Sequence, residues 1–165
     1  MKKIKKMKFD YLKSLSEEEM REIFSHLDIE KLTEIARDPE LKECGKKCYE
    51  VLSKNENWQI RFEMAVRKDL GEVCPECVRE LAHDENWAIR YEIAKREDLP
   101  QVCPECIREL AKDKDEAVRY QIAWRLDLPQ VCPECVKWLC NDEDKDVRSV
   151  MEKRGLCRKV HYHNW

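Results

Sequence analysis

A segment of 29 residues repeats along this chain, and each full copy carries Cys-Pro-Glu-Cys at the same place. The copies read NWQIRFEMAVRKDLGEVCPECVRELAHDE, NWAIRYEIAKREDLPQVCPECIRELAKDK and DEAVRYQIAWRLDLPQVCPECVKWLCNDE. A partial copy precedes them, with Cys48 standing 29 residues before Cys77, and a half copy, KDVRSVMEKRG, follows. Such a unit cannot bury its apolar face alone, so this period predicts a stacked array of repeats.

Each unit is predicted to form two helices. In the middle copy, Ile89 and Ile93 recur at helical spacing, and Ile107 and Leu110 do so after the Cys-Pro-Glu-Cys motif. Proline suits the first position of that second helix, where its missing N–H has no intrahelical partner. The linker DLPQV is predicted to be a short ordered turn. Scarce glycine and abundant Glu, Lys and Arg favour an all-α solenoid.

Residues 1–53 are predicted to be a basic N-terminal segment followed by a helical cap. Ser16 and Glu19 form a capping-box pattern, and Asp28 can cap the next helix. Asp38-Pro39 predicts a further helix over ELKECGKKCYEVL. The solenoid of about three and a half units then covers residues 54–154, and a basic tail covers 155–165.

The segments DKDEAVRYQIAWRLDL and PECIRELAKD resemble the Asp-x-Asp-x-x-Val-Arg … Pro-Glu-Ala-Leu-x-x-Leu-Ala pattern of leucine-rich-repeat-variant proteins and related HEAT-like repeats. The resemblance covers roughly residues 38–154 and implies a right-handed superhelix of paired helices. The unit here is longer than that family's usual repeat. The second Cys of each motif also replaces the alanine of the family pattern.

Charge is spread unevenly along the chain. Six Lys and one Asp give residues 1–13 a charge of +5, and two Lys and two Arg give residues 153–165 a charge of +4. The net charge of −3 therefore leaves −12 for residues 14–152, which argues against nucleic acid as a partner. No membrane span or secretory signal is recognisable, so we expect a cytoplasmic protein. Abundant Lys and Glu are also typical of hyperthermophiles.

Eight of the ten cysteines form close pairs, and we interpret these pairs first as disulfides within each unit. The alternative is zinc or an iron–sulfur cluster held by two neighbouring pairs. Redox catalysis is a third interpretation, and burial of free thiols is a fourth. We expect Cys140 to be a buried core residue. The pairs are Cys44 with Cys48, Cys74 with Cys77, Cys103 with Cys106, and Cys132 with Cys135.

The C-terminal sequence CRKVHYHNW has the spacing of metal ligands. Cys157, His161 and His163, with a fourth ligand from Cys132 or Cys135, could bind zinc. We favour the interpretation that this segment is a basic tail without a metal.

Arginines and tryptophans also follow the 29-residue step. Arg61, Arg90, Arg119 and Arg148 could form a phosphate-binding stripe, but we expect each to pair with an acidic residue of a neighbouring unit, such as Asp69 or Asp98. Trp58 and Trp87 are expected to fill the seams between units. Trp124 and Trp138 depart from the repeat, and we predict that they contact a partner.

The sequence contains no Gly-rich loop, nucleophile elbow or paired-His helix motif. We therefore expect a non-catalytic scaffold that binds a protein or peptide, made rigid by disulfide staples and without a cofactor. The alternative function is that of a zinc or iron–sulfur protein in which the Cys pairs are the ligands.

Overall fold

The structure, a computed structural model, describes residues 2–157, and for residues 2–7 it describes the backbone alone. The described chain is all-α and contains no strand. The helices before the first full repeat are α1 (Lys2–Ser14), α2 (Glu17–Ser25), α3 (Ile29–Arg37), a 3₁₀ helix (Pro39–Cys44) and α4 (Lys46–Ser53). The repeats contribute α5 (Trp58–Ala65), α6 (Leu70–Val73), α7 (Pro75–Leu81), α8 (Trp87–Ala94), α9 (Leu99–Val102), α10 (Pro104–Leu110), α11 (Glu116–Ala123), α12 (Leu128–Val131), α13 (Pro133–Cys140) and α14 (Lys145–Lys153).

Several predicted helix starts are confirmed. The Ser16 side chain accepts a hydrogen bond from the Glu19 N–H, and the Glu19 carboxylate accepts one from the Ser16 N–H, which completes the capping box. Asp28 caps α3 through the N–H of Lys31. The prolines of the Cys-Pro-Glu-Cys motifs are the first residues of α7, α10 and α13.

Each full repeat contains three helices, not the predicted two. The linker between the longer helices forms a helix of a single turn: α6, α9 or α12. Each begins at a leucine that is fully buried, namely Leu70, Leu99 or Leu128. The N–H of the following Cys donates a hydrogen bond to that leucine's carbonyl at 2.8–2.9 Å, which closes the turn. Because a single turn is not stable by itself, burial of the leucine side chain stabilises it.

The helix predicted from Asp38-Pro39 is interrupted. Residues Pro39–Cys44 form a 3₁₀ helix, and α4 begins only after Gly45, whose φ of 84° no helix allows. Asp38 caps the 3₁₀ helix through the N–H of Glu40. Tyr49 and Leu52 of α4 are fully buried behind this break.

Contacts along the chain divide it into two compact units, Met1–Ile93 and Ala94–Trp165. In the first unit, α3 and α4 both pack on α5, and α4 also packs on α7. In the second unit, α11 and α13 both pack on α14, around fully buried Val118, Ile122, Leu139, Val147 and Met151. In the described part of the chain, no helix has both the length and the apolar character needed to cross a membrane.

Candidate functional site

The four predicted Cys pairs lie at disulfide distance. The first Cys of each Cys-Pro-Glu-Cys motif is the N-cap of its helix, and the second is the third helical residue. Their Cα atoms are 5.3 Å apart in Cys74–Cys77 and Cys103–Cys106, and 5.2 Å apart in Cys132–Cys135. The non-helical N-cap conformation thus brings the two residues into the usual disulfide range.

The fourth pair, Cys44 with Cys48, spans the junction at Gly45 with its Cα atoms 6.0 Å apart. All eight paired cysteines are buried, with at most 3% of any one exposed. Thiol–disulfide exchange requires attack of a thiolate on an accessible sulfur, so this burial disfavours the interpretation of redox catalysis. It favours a structural role for the motifs.

Cys140 lies beside Cys157 at disulfide distance, with the Cα atoms 5.5 Å apart. The expectation that Cys140 is a free core residue is therefore wrong: it is partly exposed and paired. The chain reverses after α14 at Gly155 (φ 70°), where Gly155 N–H bonds to Glu152 O and Leu156 N–H to Met151 O. This reversal carries Cys157 back to the end of α13.

His161 and His163, the candidate ligands of the alternative zinc interpretation, lie outside the described residues. Within residues 2–157, no three His, Cys, Asp or Glu side chains converge closely enough to hold a metal ion. All ten cysteines lie in this range, and each is paired with one other cysteine.

Arg61 and Arg119 of the first arginine ladder form ion pairs with acidic residues, but the expectation that these lie in a neighbouring repeat is wrong: each partner stands at the end of the same 29-residue copy. Arg61 donates from Nε and Nη2 to the two carboxylate oxygens of Asp84 at 2.7 and 3.1 Å, and from Nη2 to Glu85 at 3.2 Å. Arg119 contacts Asp142 in the same way, at 2.8 and 3.0 Å. The expected partner Asp69 is instead bound by Arg67.

These guanidinium groups are poorly placed to bind a polyanion. Arg61, Arg90 and Arg119 are each no more than 9% exposed. Their Nη1 groups donate to carbonyls of the turn before their own helix, such as Asn55 O and Glu56 O for Arg61, at 2.9 and 3.0 Å. The hydrogen bond from Arg61 to Asp84 raises the pKa of the arginine against the effect of burial.

In the second arginine ladder, Arg67 and Arg125 each join their repeat to the backbone of the one before. Arg67 donates to Ala36 O and Asp38 O at 2.6 and 2.9 Å, and Arg125 donates to Ala94 O and Arg96 O at 2.9 and 2.8 Å. Arg67 also holds both carboxylate oxygens of Asp69, and Arg125 holds those of Asp127.

Asp69 is further bound by the hydroxyl of Tyr49, at 2.8 Å. Burial alone would raise the pKa of Asp69, but the hydrogen bonds from Arg67 and Tyr49 together lower it. Burial and the bond to Asp69 raise the pKa of the Tyr49 hydroxyl. This cluster is a structural junction, because every polar group in it is used within the chain.

The expectation that Trp58 and Trp87 fill buried seams is wrong. They are 47% and 49% exposed. Each makes an edge-to-face contact with an aromatic ring one turn later in its own helix, Phe62 or Tyr91, at centroid distances of 6.4 and 6.3 Å. The buried positions of these two helices are taken instead by side chains such as Ile60, Met64, Ile89 and Ile93.

The two tryptophans that depart from the repeat have different surroundings. Trp138 on α13 is partly buried, with Lys112 Nζ 3.5 Å from a ring centroid and the Arg108 guanidinium 5.9 Å away. Trp124 at the end of α11 is 47% exposed and contacts Tyr120 edge-to-face at 6.1 Å. No Lys or Arg of the described chain lies over its ring.

Trp124 lines an open groove between α11 and α14, of about 430 Å³. We call it the α11–α14 groove. Its other walls include Glu116, Ala117 and Tyr120 from α11, and Ser149, Val150 and Lys153 from α14, with Asp144 and Asp146 at one end. Trp138 does not line it. The structure thus separates the two predicted contact residues.

The acidic residues of this groove escaped sequence analysis, although the repeat held a signal. Glu116 occupies the position of Trp58 and Trp87, so the aromatic pair of this unit moves one turn along the helix, to Tyr120 and Trp124. A break in an otherwise regular repeat marked the groove. Comparisons with protein-family models, curated proteins and solved structures found no match.

Proposed function

We propose that this protein is a non-catalytic helical-repeat scaffold that binds a protein or peptide partner, and that its Cys pairs are disulfide staples. The proposal includes the right-handed solenoid of paired helices implied by the resemblance to leucine-rich-repeat-variant and HEAT-like proteins. It also includes the cytoplasm of a hyperthermophile as location, where disulfides persist. The 29-residue step and the arginine bonds between successive repeats support the stacked arrangement.

The observation that carries the binding role is the α11–α14 groove with Trp124 half exposed in its wall. A large aromatic ring beside an open groove is a typical anchor for a partner, since tryptophan buries much area at little entropic cost. Trp138 is the second predicted contact, but a partner there would displace Lys112. The proposal therefore rests mainly on Trp124.

A random peptide library displayed on phage tests this role. We expect the oxidised protein to select related peptides whose affinity falls at least about tenfold in Trp124→Ala, the effect of a moderate hot spot. Trp58→Ala is the matched control, because Trp58 is equally exposed but lies in the other unit. Peptides that bind both variants equally, or no selection at all, would contradict the proposal.

Intact mass distinguishes disulfide staples from metal ligands. Each disulfide lowers the mass of the denatured, unreduced protein by about 2 Da, so five pairs lower it by about 10 Da. We expect that deficit with no retained metal under native conditions. Free thiols after denaturation, together with zinc or iron in the native mass, would support the alternative function as a zinc or iron–sulfur protein.

A further inference from the structure

The charges of the α11–α14 groove indicate which kind of peptide it takes. Three of its four charged wall residues are acidic, namely Glu116, Asp144 and Asp146, against one Lys153. Elsewhere in the unit, the buried carboxylate of Asp142 and the partly exposed one of Asp127 are each held by an arginine. In the described chain, Glu116 and Asp146 have no ion-pair partner and are exposed to solvent.

Helix capping explains only part of this cluster. Asp144 accepts hydrogen bonds from the N–H groups of Asp146 and Val147 through one carboxylate oxygen, so it is the N-cap of α14. The positive end of the helix dipole also stabilises the carboxylates of Glu116 and Asp146. This stabilisation does not explain why the starts of two helices lie at the same groove as an exposed indole.

The second observation is the contrast between the two tryptophans. The ring of Trp138 is covered by cations of its own chain, Lys112 at 3.5 Å and Arg108 at 5.9 Å. Arg108 is in turn paired with Glu134. The arrangement is a cation over an indole with a carboxylate nearby, which is a stable combination in proteins. Trp124 and the acidic groove residues provide the indole and the carboxylates, but not the cation.

We propose that the α11–α14 groove binds a segment of the partner protein that carries arginine or lysine, with one cation over the Trp124 ring and the chain of the segment along the groove. This inference rests on the proposed binding function and names the chemistry of its partner. Glu116, Asp144 and Asp146 balance the charge of the segment, and they repel acidic peptides and phosphates.

The test uses the full-length oxidised protein and an octapeptide of alternating serine and arginine. Two matched peptides replace arginine by citrulline, which keeps the shape without the charge, or by glutamate. Binding is followed by NMR through the indole N–H signals, with the Trp124 signal assigned by its loss in Trp124→Leu. We expect the arginine peptide to shift that signal, the citrulline peptide to bind at least about tenfold more weakly, and the glutamate peptide not to bind.

Variants of the protein locate the effect. Glu116→Gln combined with Asp146→Asn keeps the shape of the groove and should weaken binding of the arginine peptide and reduce its dependence on salt. Trp58→Leu should leave the affinity unchanged. Equal affinity for the arginine and citrulline peptides, or no shift of the Trp124 signal up to about 5 mM peptide, would overturn the inference.

The phage selection separates the two proposals. Selected peptides that depend on Trp124 but are not enriched in Arg or Lys would leave the binding function standing and overturn the basic partner. Failure to select any peptide that depends on Trp124 would count against both. Enrichment of Arg or Lys that disappears in the Glu116→Gln/Asp146→Asn variant would support both.

Discussion

Arg61 and Arg119 each combine two kinds of interaction in one side chain. The guanidinium fixes the turn before its own helix through backbone carbonyls, and it pairs with an aspartate at the end of the same 29-residue copy. Five donors in a rigid plane make this possible, and a lysine at the same position lacks the geometry. The side chains of Arg61 and Asp84 are only 10% and 6% exposed, so the pair is largely removed from water.

We expect Arg61→Met to destabilise the protein by about 3–5 kcal/mol, because it leaves the buried Asp84 carboxylate without a counter-charge. Urea unfolding followed by circular dichroism measures this loss. Arg21→Ala is the control, since its pair with Glu17 is exposed and worth at most about 1 kcal/mol.

A second substitution separates lost packing from an uncompensated charge. Adding Asp84→Asn to Arg61→Met should recover part of the stability, because the amide carries no charge to bury. An effect of Arg61→Met no larger than that of Arg21→Ala would show that the ladder contributes little to stability.

Because the pKa of Asp69 is lowered in the folded protein, we expect the stability of the protein to depend on pH. Its pKa in the folded protein is lowered by Arg67 and Tyr49 against the effect of burial, so its charged form stabilises the fold. This contribution is present above the ordinary aspartate pKa of about 3.9 and is lost as the pH falls through the lowered value. In Asp69→Asn, we expect a deficit of stability against wild type that is widest at neutral pH and narrows in acid.

Urea midpoints measured from neutral pH downwards test this expectation. Glu22→Gln, at an exposed position of α2, serves as the control and should run parallel to wild type. A deficit for Asp69→Asn that stays constant across the range would mean that the Asp69 carboxylate is not the titrating group.

At the scale of elements, each full repeat has a single-turn helix between its two longer helices: α6, α9 or α12. Two of them have proline as their second residue, Pro100 and Pro129, whereas α6 has Gly71 at the same place. Proline restricts the unfolded chain at a position where the folded backbone already suits it. The other two repeats thus indicate that proline suits the position of Gly71.

Gly71→Pro is expected to stabilise the protein by about 0.4–1 kcal/mol, because it lowers the entropy of the unfolded state. The thermal midpoint of unfolding should rise accordingly. A lower midpoint for Gly71→Pro would mean that α6 differs in backbone from α9 and α12.

Gly45→Ala provides the opposite case. Gly45 has a φ of 84° with a ψ of −175°, a conformation that L-residues avoid, so we expect the free energy of unfolding to fall by about 1–3 kcal/mol.

The same elements show how far the sequence leads. Local signals sufficed for the capping box at Ser16, the cap at Asp28 and the helix starts at Cys-Pro-Glu-Cys, because each depends on neighbours within four residues. The single-turn helix over Leu99–Val102 escaped, since one turn has no periodicity to detect and its formation depends on burial of Leu99.

Interactions between elements were predicted in kind but not in partner. The sequence indicated that Arg61 pairs with an acidic residue, but it placed that residue in a neighbouring repeat, whereas Asp84 lies in the same copy as Arg61. Exposure of Trp58 escaped as well, since the side of a short helix that faces its neighbours is decided by packing. Cys140 and Cys157 were the two cysteines left over from the motifs, and their even number was the one available signal of the pair.

At the scale of the whole molecule, the sulfur atoms fall into two classes of accessibility. The pairs in the Cys-Pro-Glu-Cys motifs and the pair at Gly45 are buried, whereas Cys140 and Cys157 are both partly exposed. A reductant in solution reaches the second class in the native state, but it reaches the first only when a repeat opens. Reduction therefore reports on how the repeats open.

We expect brief treatment of the native protein with dithiothreitol, followed by alkylation, to label Cys140 and Cys157 first. Each dithiothreitol transfers two electrons to the disulfide and is itself oxidised to a cyclic disulfide, so two thiols form together. Peptide mapping should show these two cysteines labelled while the other eight remain paired. In denaturant all ten should be labelled, which controls for the reactivity of the sulfurs themselves.

The loss of stability on removing a disulfide also differs between the two classes, because the disulfides close chain loops of different length. Cys140–Cys157 spans 17 residues and is expected to contribute about 3 kcal/mol, against about 2 kcal/mol for a pair three residues apart. Cys140→Ala/Cys157→Ala should lower the urea midpoint accordingly while the buried pairs stay resistant to dithiothreitol. If the buried pairs instead become labelled as fast as Cys140 in the native wild type, the repeats open individually, and the disulfides cannot be what keeps the scaffold rigid.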